Sequence, residues 1–439
     1  MDAHVALAHL PELVERLNRP AHQLPTDVQT RARWLVMDTL GCAVAGGRSP
    51  EVRAWLTQHH LAEDPYGTSP HGVPGDRFGP TVALSMGACW DEACEGHARA
   101  HGRPGVAALS AIWPQVRDLD WDRLISALVL GYEVGARAGA ALRIGPGMHV
   151  DANWPALGAA AAAARAMSLD SGAILAAVNI AACQLPQSLY RPIETGDTAR
   201  NTYLGHAAIL GQLAAQAAAA GISAPTDAID GYLQVTSPQS PASGEIASPG
   251  TFEILSGYFK PFAAVRHVHY AAQAALRLRP PMPEHIAAIH LWTYPEAITY
   301  CGIRRPDTPL QAQFSLSFGV AATLRWGRLD PQVYRSPSFD DALLQALERR
   351  VVIHADPAPP SAGHRWARLK LVMSDGSALE GTTSAVRGDS SMPWTEPDLT
   401  EKFVALCRGS LGADRARSLV DHILYAPLHA PVFAKPQEL

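Results

Sequence analysis

The sequence predicts a mainly α protein, a large all-helical domain followed by a smaller α+β domain. Through the first two-thirds of its 439 residues, apolar side chains recur at three- and four-residue spacing, the period of a helix with one buried face. At 237–250 (SPQSPASGEIASPG) the texture turns Pro/Ser/Gly-rich. Beyond it, short alternating or β-branched runs separate helical stretches.

The helical period is clear at 26–45, 122–142, 154–167, 171–183 and 199–220. Alanine and glycine fill the expected buried faces at 158–164 and 205–220, and small residues let helix axes approach closely. Pro114, Gly145-Pro146-Gly147, Pro186 and Pro192 punctuate the run. After the break, 286–293 (IAAIHLWT), 351–354 and 366–373 (WARLKLVM) read as strands, with helices at 312–324 and 340–350. The segment 370–383 reads as a hairpin turning at Asp375-Gly376. The tail, 398–426, is helical again and is expected to return to the first domain.

Bulk properties exclude several classes of function. The chain is 47% hydrophobic and 18% charged, with a formal charge of −5. No basic stripe for nucleic acid is visible. No run is apolar enough to span a membrane, and the N-terminus lacks the pattern of a secretory signal. The six cysteines are scattered without a Cys-x-x-Cys, so neither a disulfide framework nor structural zinc is expected, and a reducing cytoplasm is the default compartment. Cys89 and Cys94 read as packing thiols.

The densest polar stretch is 90–105, WDEACEGHARAHGRPG. It holds Asp91, Glu92, Glu95, His97, Arg99, His101 and Arg103, and the residues alone leave open a metal site, an acid–base centre or a solvated turn. His97 and His101 would share a helix face, but Gly96 and Gly102 weaken a helix, and two ligands do not make a metal site. Gly-x-Ser-x-Gly, P-loop, complete Gly-x-Gly-x-x-Gly and His-Glu-x-x-His motifs are absent. Other polar residues sit in apolar or glycine-rich settings: His149 after Gly145-Pro146-Gly147-Met148, Arg200 and His206 beside Gly205, and Lys260, Arg266, His267 and His269 in FKPFAAVRHVHY. Each alone is commonly a cap or a satisfied core residue. Together they supply histidines for proton transfer and cations for carboxylates, from segments flanking a domain boundary, where pockets concentrate.

In order along the chain, MDTLGCAVAGG (37–47), GYEVGAR (131–137), GMHVDANWPALGAAAAAARAMSLD (147–170), GHAAILGQLAAQ (205–216), KPFAAVRHVH (260–269) and AQFSLSFGVA (312–321) resemble successive signatures of the MmgE/PrpD family. The resemblance spans nearly the whole chain. It implies a helical domain of residues 1–258 and 395–439, an α+β lid of 259–394, and a homodimer. In the family, the motif at 91 runs Asp-Phe-Asp-Asp-Thr and is followed by a catalytic histidine. Asp91 matches its first aspartate and His101 that histidine. His149 matches the histidine of a Gly-Phe-His segment, Tyr300 an active-site tyrosine, and Lys260, Arg266 and His269 the basic cluster opening the lid. The departures are Ala93, Cys94 and Glu95 for Asp-Asp-Thr, Met86-Gly87 for Asn-Gly, Arg200 for a lysine and Tyr203 for a histidine.

The reactions this family implies share a carbanion beside a carboxylate, reached by dehydration, decarboxylation or epimerisation. They need a histidine near neutral pKa and fixed positive charge for the enolate-like state, and no metal or organic cofactor. The resulting expectation is a lyase, dehydratase before decarboxylase, acting on a small polycarboxylate. His101 is its principal proton-transfer residue, oriented by Asp91. His149 is a second acid/base and Tyr300 a donor from the lid. Arg200, Lys260 and Arg266 form a carboxylate clamp, with His269 beside them. An isomerase or epimerase, and a degenerate ligand-binding homologue, are the alternatives.

Overall fold

The computed structural model describes residues 7, 9–62, 76–142, 144–236, 250–356, 365–389 and 391–433. The compositional break at 237–249 lies outside them. At the centre of the helical region is Pro155–Ala166, in which only Arg165 is not buried. It packs against Trp121–Ala141, Tyr203–Ala219, Pro104–Ile112 and Ser171–Ala182. The small residues are required here, because a Cβ on Gly158 would stand 2.5 Å from the Gly131 carbonyl oxygen. Two of these helices carry side-chain caps: Asp120 accepts from the Arg123 N–H at 2.8 Å and Asp170 from the Ala173 N–H at 2.8 Å. Trp121–Ala141 is long and apolar enough to cross a membrane, but it is wholly buried among other helices.

Among the described residues, the longer strands form a four-stranded sheet, in the order Val351–Ala355, Ile286–Thr293, Ala367–Met373, Ala378–Thr383. The first pair is parallel and the other two are antiparallel. Ile289, Leu291, Leu369 and Leu371 are buried, and the sheet packs on Arg266–Leu278. The hairpin turns where the sequence places it. Asp375 Oδ1 accepts from the Ser377 N–H at 2.8 Å, and Gly376 takes a left-handed φ of 86°.

Several predicted helices are interrupted. The run 199–220 becomes a 3-10 turn, Thr198–Thr202, followed by Tyr203–Ala219. The 312–324 run breaks at Phe314, where Ser315 caps a new helix, Leu316–Trp326. The tail divides into Glu396–Leu411 and Ala413–Tyr425 at Gly412, whose φ of 79° ends the first helix. Glu396–Leu411 packs on Thr26–Gly46, and Lys402 Nζ donates to Asp38 Oδ1 at 2.5 Å. The helices Phe78–Trp90 and Pro104–Ile112 carry no readable apolar stripe because they are buried on nearly every side.

Candidate active site

Short strand pairs draw four polar segments to one place. Gly96–His97 pairs with Gly257–Tyr258, which fixes the 91–103 loop beside Lys260. Met148–His149 pairs with Ser188–Leu189, and Ser188 Oγ donates to the His149 carbonyl at 2.8 Å. Between these segments lies a cavity of about 120 Å³, lined by His101, His149, Arg200, Lys260 and Arg266, and also by Glu92, Glu95, Arg103, Asp151, His267, Phe314 and Arg365. The loop is too crowded at Gly102 for any side chain, since a Cβ there would lie 2.5 Å from the Trp154 ring. Two cavity residues, Glu92 and His101, take left-handed backbone angles of 53° and 27°, a strain that collects at functional sites.

Glu92 organises the cations. Lys260 Nζ donates to its Oε1 at 2.6 Å and to its carbonyl at 3.0 Å. Arg103 and Arg200 both ion-pair with the same carboxylate. Arg103 also donates to Asp151 Oδ2 at 2.6 Å, and Arg200 lies 3.7 Å from that oxygen. Burial opposes ionisation of Glu92, but Arg103, Arg200 and Lys260 outweigh it and hold the group well below the usual carboxylate range. Burial lowers Lys260, with Glu92 opposing. Arg200 is thus not an open clamp. It is fully enclosed and also donates to the Cys89 carbonyl at 3.2 Å and to Asn201 Oδ1 at 3.0 Å. Arg266 ion-pairs with Asp389 and lies 4.4 Å over the Tyr258 ring. Arg365 reaches the cavity with no hydrogen-bond or ion-pair partner among the described residues.

His149 has a defined tautomer. Its Nδ1 accepts the Asp151 backbone N–H at 3.1 Å, so the proton of the neutral ring is on Nε2. Burial, against the pull of Asp151 and with Arg200 and Arg103 adding, brings it down to about 4. A neutral imidazole with Nε2–H is a hydrogen-bond donor, and this arrangement makes it a weaker second base than expected. His101 stands exposed at the cavity mouth. Glu95 is fully buried. Burial, then Cys94, raises it to about 8, despite the N–H of Gly105. Its Oε1 accepts that N–H at 2.8 Å, and its Oε2 has no hydrogen-bond partner among the described residues.

Three sequence-based assignments are corrected. Asp91 does not orient His101: both its oxygens take Arg335 Nη2, each at 3.0 Å. Burial raises its pKa even so. His269 does not line the cavity. It bridges the Ala264 carbonyl, 2.9 Å from Nε2, and the Arg266 guanidinium, 3.2 Å from Nδ1, and so positions that arginine. Tyr300 borders the cavity at second hand, stacked 5.9 Å from His267. Cys94 is buried in the core, as a packing thiol is expected to be. Burial opposes its ionisation, but the Cys89 thiol, Arg103 and Lys260 lower it. His206 is exposed, and His97 is occupied by Glu253 at 3.1 Å and by the N–H groups of Arg99 and Ala100.

The sequence reading passed over Glu92, Arg103 and Asp151. The first two stand in the quoted polar stretch, and Asp151 follows His149 by two residues. Arg335 and Arg365 have no local signal.

The structure therefore defines a helical protein with a small, cation-rich cavity bearing histidines at the edge of its α+β part. Residues 14–244 match the MmgE/PrpD N-terminal domain and residues 262–424 the MmgE/PrpD C-terminal domain. The chain belongs to the MmgE/PrpD family. It is 23% identical to the cis-aconitate decarboxylase of Aspergillus terreus, over 93% of this chain and 90% of that protein. It is 22% identical to a cis-aconitate decarboxylase-like protein of Aspergillus oryzae, over 93% and 92%. With the cis-aconitate decarboxylase of Mus musculus it shares 23% identity, over 91% and 86%. The relatives it matches are lyases.

Proposed function

We propose that this protein is a lyase that forms a carbanion beside a carboxylate of a small organic acid. The observation that carries the reading is the cavity itself: buried Arg103, Arg200 and Lys260, Arg365, and the Nε2–H of His149 converge on a space that His101 borders. Fixed cations and a neutral imidazole donor stabilise an enolate-like carboxylate, the species common to dehydration and decarboxylation. His101 delivers or removes the proton at carbon. Positioned side chains supply both requirements, so the proposed chemistry calls on no metal or organic cofactor. Loss of hydroxide is the route we place first, on the family resemblance. Loss of CO₂ is the second reading, favoured by the decarboxylase names of the relatives.

The test is incubation with a panel of di- and tricarboxylic acids in D₂O, followed by NMR. Appearance of an alkene with loss of water, or CO₂ loss with deuterium at the protonated carbon, supports the reading and separates its two routes. Exchange without net change would replace it by an epimerase. Binding without any reaction would replace it by a ligand-binding homologue. The proposal includes a homodimer, resting on the family resemblance; a monomer at micromolar concentration in light scattering would remove that part.

A further inference from the structure

We infer that Glu92 occupies the place of one substrate carboxylate, so that this cavity takes dicarboxylates and rejects tricarboxylates. The inference rests on the catalytic reading above and narrows its substrate. Glu92 lines the cavity with 1% of its surface exposed, yet its carboxylate is shared by Arg103, Arg200 and Lys260. Three cations around one carboxylate is the arrangement a polycarboxylate substrate would otherwise complete, because charge-assisted bonds to carboxylate are the strong ones. Here the protein brings its own carboxylate.

The charges around the cavity agree. Arg103, Arg200, Lys260 and Arg365 face it, against the ionised Glu92 and Asp151. Arg266 is matched by Asp389, and Glu95 is uncharged at neutral pH. Two positive charges are left over, which fits a dianion. The strained backbone at Glu92 points the same way. A left-handed φ on a residue other than glycine costs energy, and the three ion pairs offset it. The relatives at 22–23% identity are named for cis-aconitate, a tricarboxylate. A third substrate carboxylate in this chain would be pushed against Glu92.

The test uses the full chain, succinate and tricarballylate as probes, and titration calorimetry. Wild type should bind succinate at least about tenfold tighter than tricarballylate, the consequence of one lost or opposed charge-assisted contact. Glu92→Gln keeps the shape and removes the charge. It should bind tricarballylate about 10–100-fold better than wild type does, and tricarballylate should raise its melting temperature more than succinate does. Glu92→Asp, which keeps the charge, should retain the wild-type preference and decides the matter where the glutamine variant does not fold. Equal affinity of wild type for the two probes, or an unchanged ratio in Glu92→Gln, would overturn the inference and leave the catalytic reading standing. Binding of neither probe by any of the three proteins would remove both.

Discussion

Replacing Glu95 by glutamine should make the protein more stable above pH 5, although the residue lines the candidate active site. Burial, then Cys94, holds its carboxyl at about 8, against an ordinary value of 4.5. The native pKa is raised above the unfolded one, so the stability linked to this proton is fully present below about pH 4.5. It is lost progressively as pH rises to about 8. At ~1.4 kcal/mol per pH unit, the loss reaches roughly 3 kcal/mol at pH 7 and roughly 4 by pH 8. Glutamine keeps an oxygen for the Gly105 N–H, which Oε1 accepts at 2.8 Å, and places an N–H₂ where the protonated, unpartnered Oε2 stands. The two proteins should therefore match near pH 4 and diverge steadily to pH 8, with the variant ahead by about 3 kcal/mol at neutrality. Urea unfolding at half-unit pH intervals measures this directly. Parallel stability profiles would refute the reasoning, since they would mean that Glu95 ionises in the native protein at its ordinary pH.

His101→Ala should leave dicarboxylate affinity nearly intact in calorimetry and lower single-turnover rates by roughly 10²–10⁴-fold, the usual weight of general acid–base catalysis. His149 should stay neutral, visible by NMR titration as an imidazole whose ring shifts do not move until pH approaches 4. Arg200→Lys keeps the charge but loses the fork that serves Glu92, the Cys89 carbonyl and Asn201. It should lower stability by about 1–3 kcal/mol and weaken ligand binding, and unchanged melting and affinity would remove Arg200 from the site. Asp91→Asn breaks the pair with Arg335 that ties the 91–103 loop to the region after residue 330. Melting should fall by the equivalent of about 1–3 kcal/mol, with binding affected more than the chemical step.

Trp121–Ala141 was legible behind its Asp120 cap, and Pro155–Ala166, although buried everywhere but at Arg165, through its run of strongly helix-forming alanine. Phe78–Trp90 and Pro104–Ile112 were hidden because burial on nearly all sides erases the period. Gly412 was readable as a residue, but its left-handed φ, which splits the tail, is a property of the folded chain. The site shows the same division. His101, His149, Arg200, Lys260 and Arg266 carried chemistry that marked them in unusual surroundings, and they do line one cavity. What they bond to was not visible. Asp91 looked like the partner of His101 because a motif places them together, whereas folding brings Arg335, 244 residues away, onto its carboxylate. Glu92 read as one charge among seven in a polar stretch. Its role depends on Arg200 and Lys260 arriving from 108 and 168 residues further along.

The central claim is that proton transfer beside a carboxylate occurs in this cavity, with His101 as the carrier. The most direct measurement is the rate at which wild type and His101→Ala exchange hydrogen at the carbon next to the carboxylate of the best acid from the panel, followed as loss of deuterium from substrate labelled there for dehydration, or as its uptake from D₂O for decarboxylation. His101→Ala should do so roughly 10²–10⁴-fold more slowly than wild type at unchanged affinity. Equal rates for the two proteins, or turnover with no hydrogen lost or gained at that carbon, would contradict it.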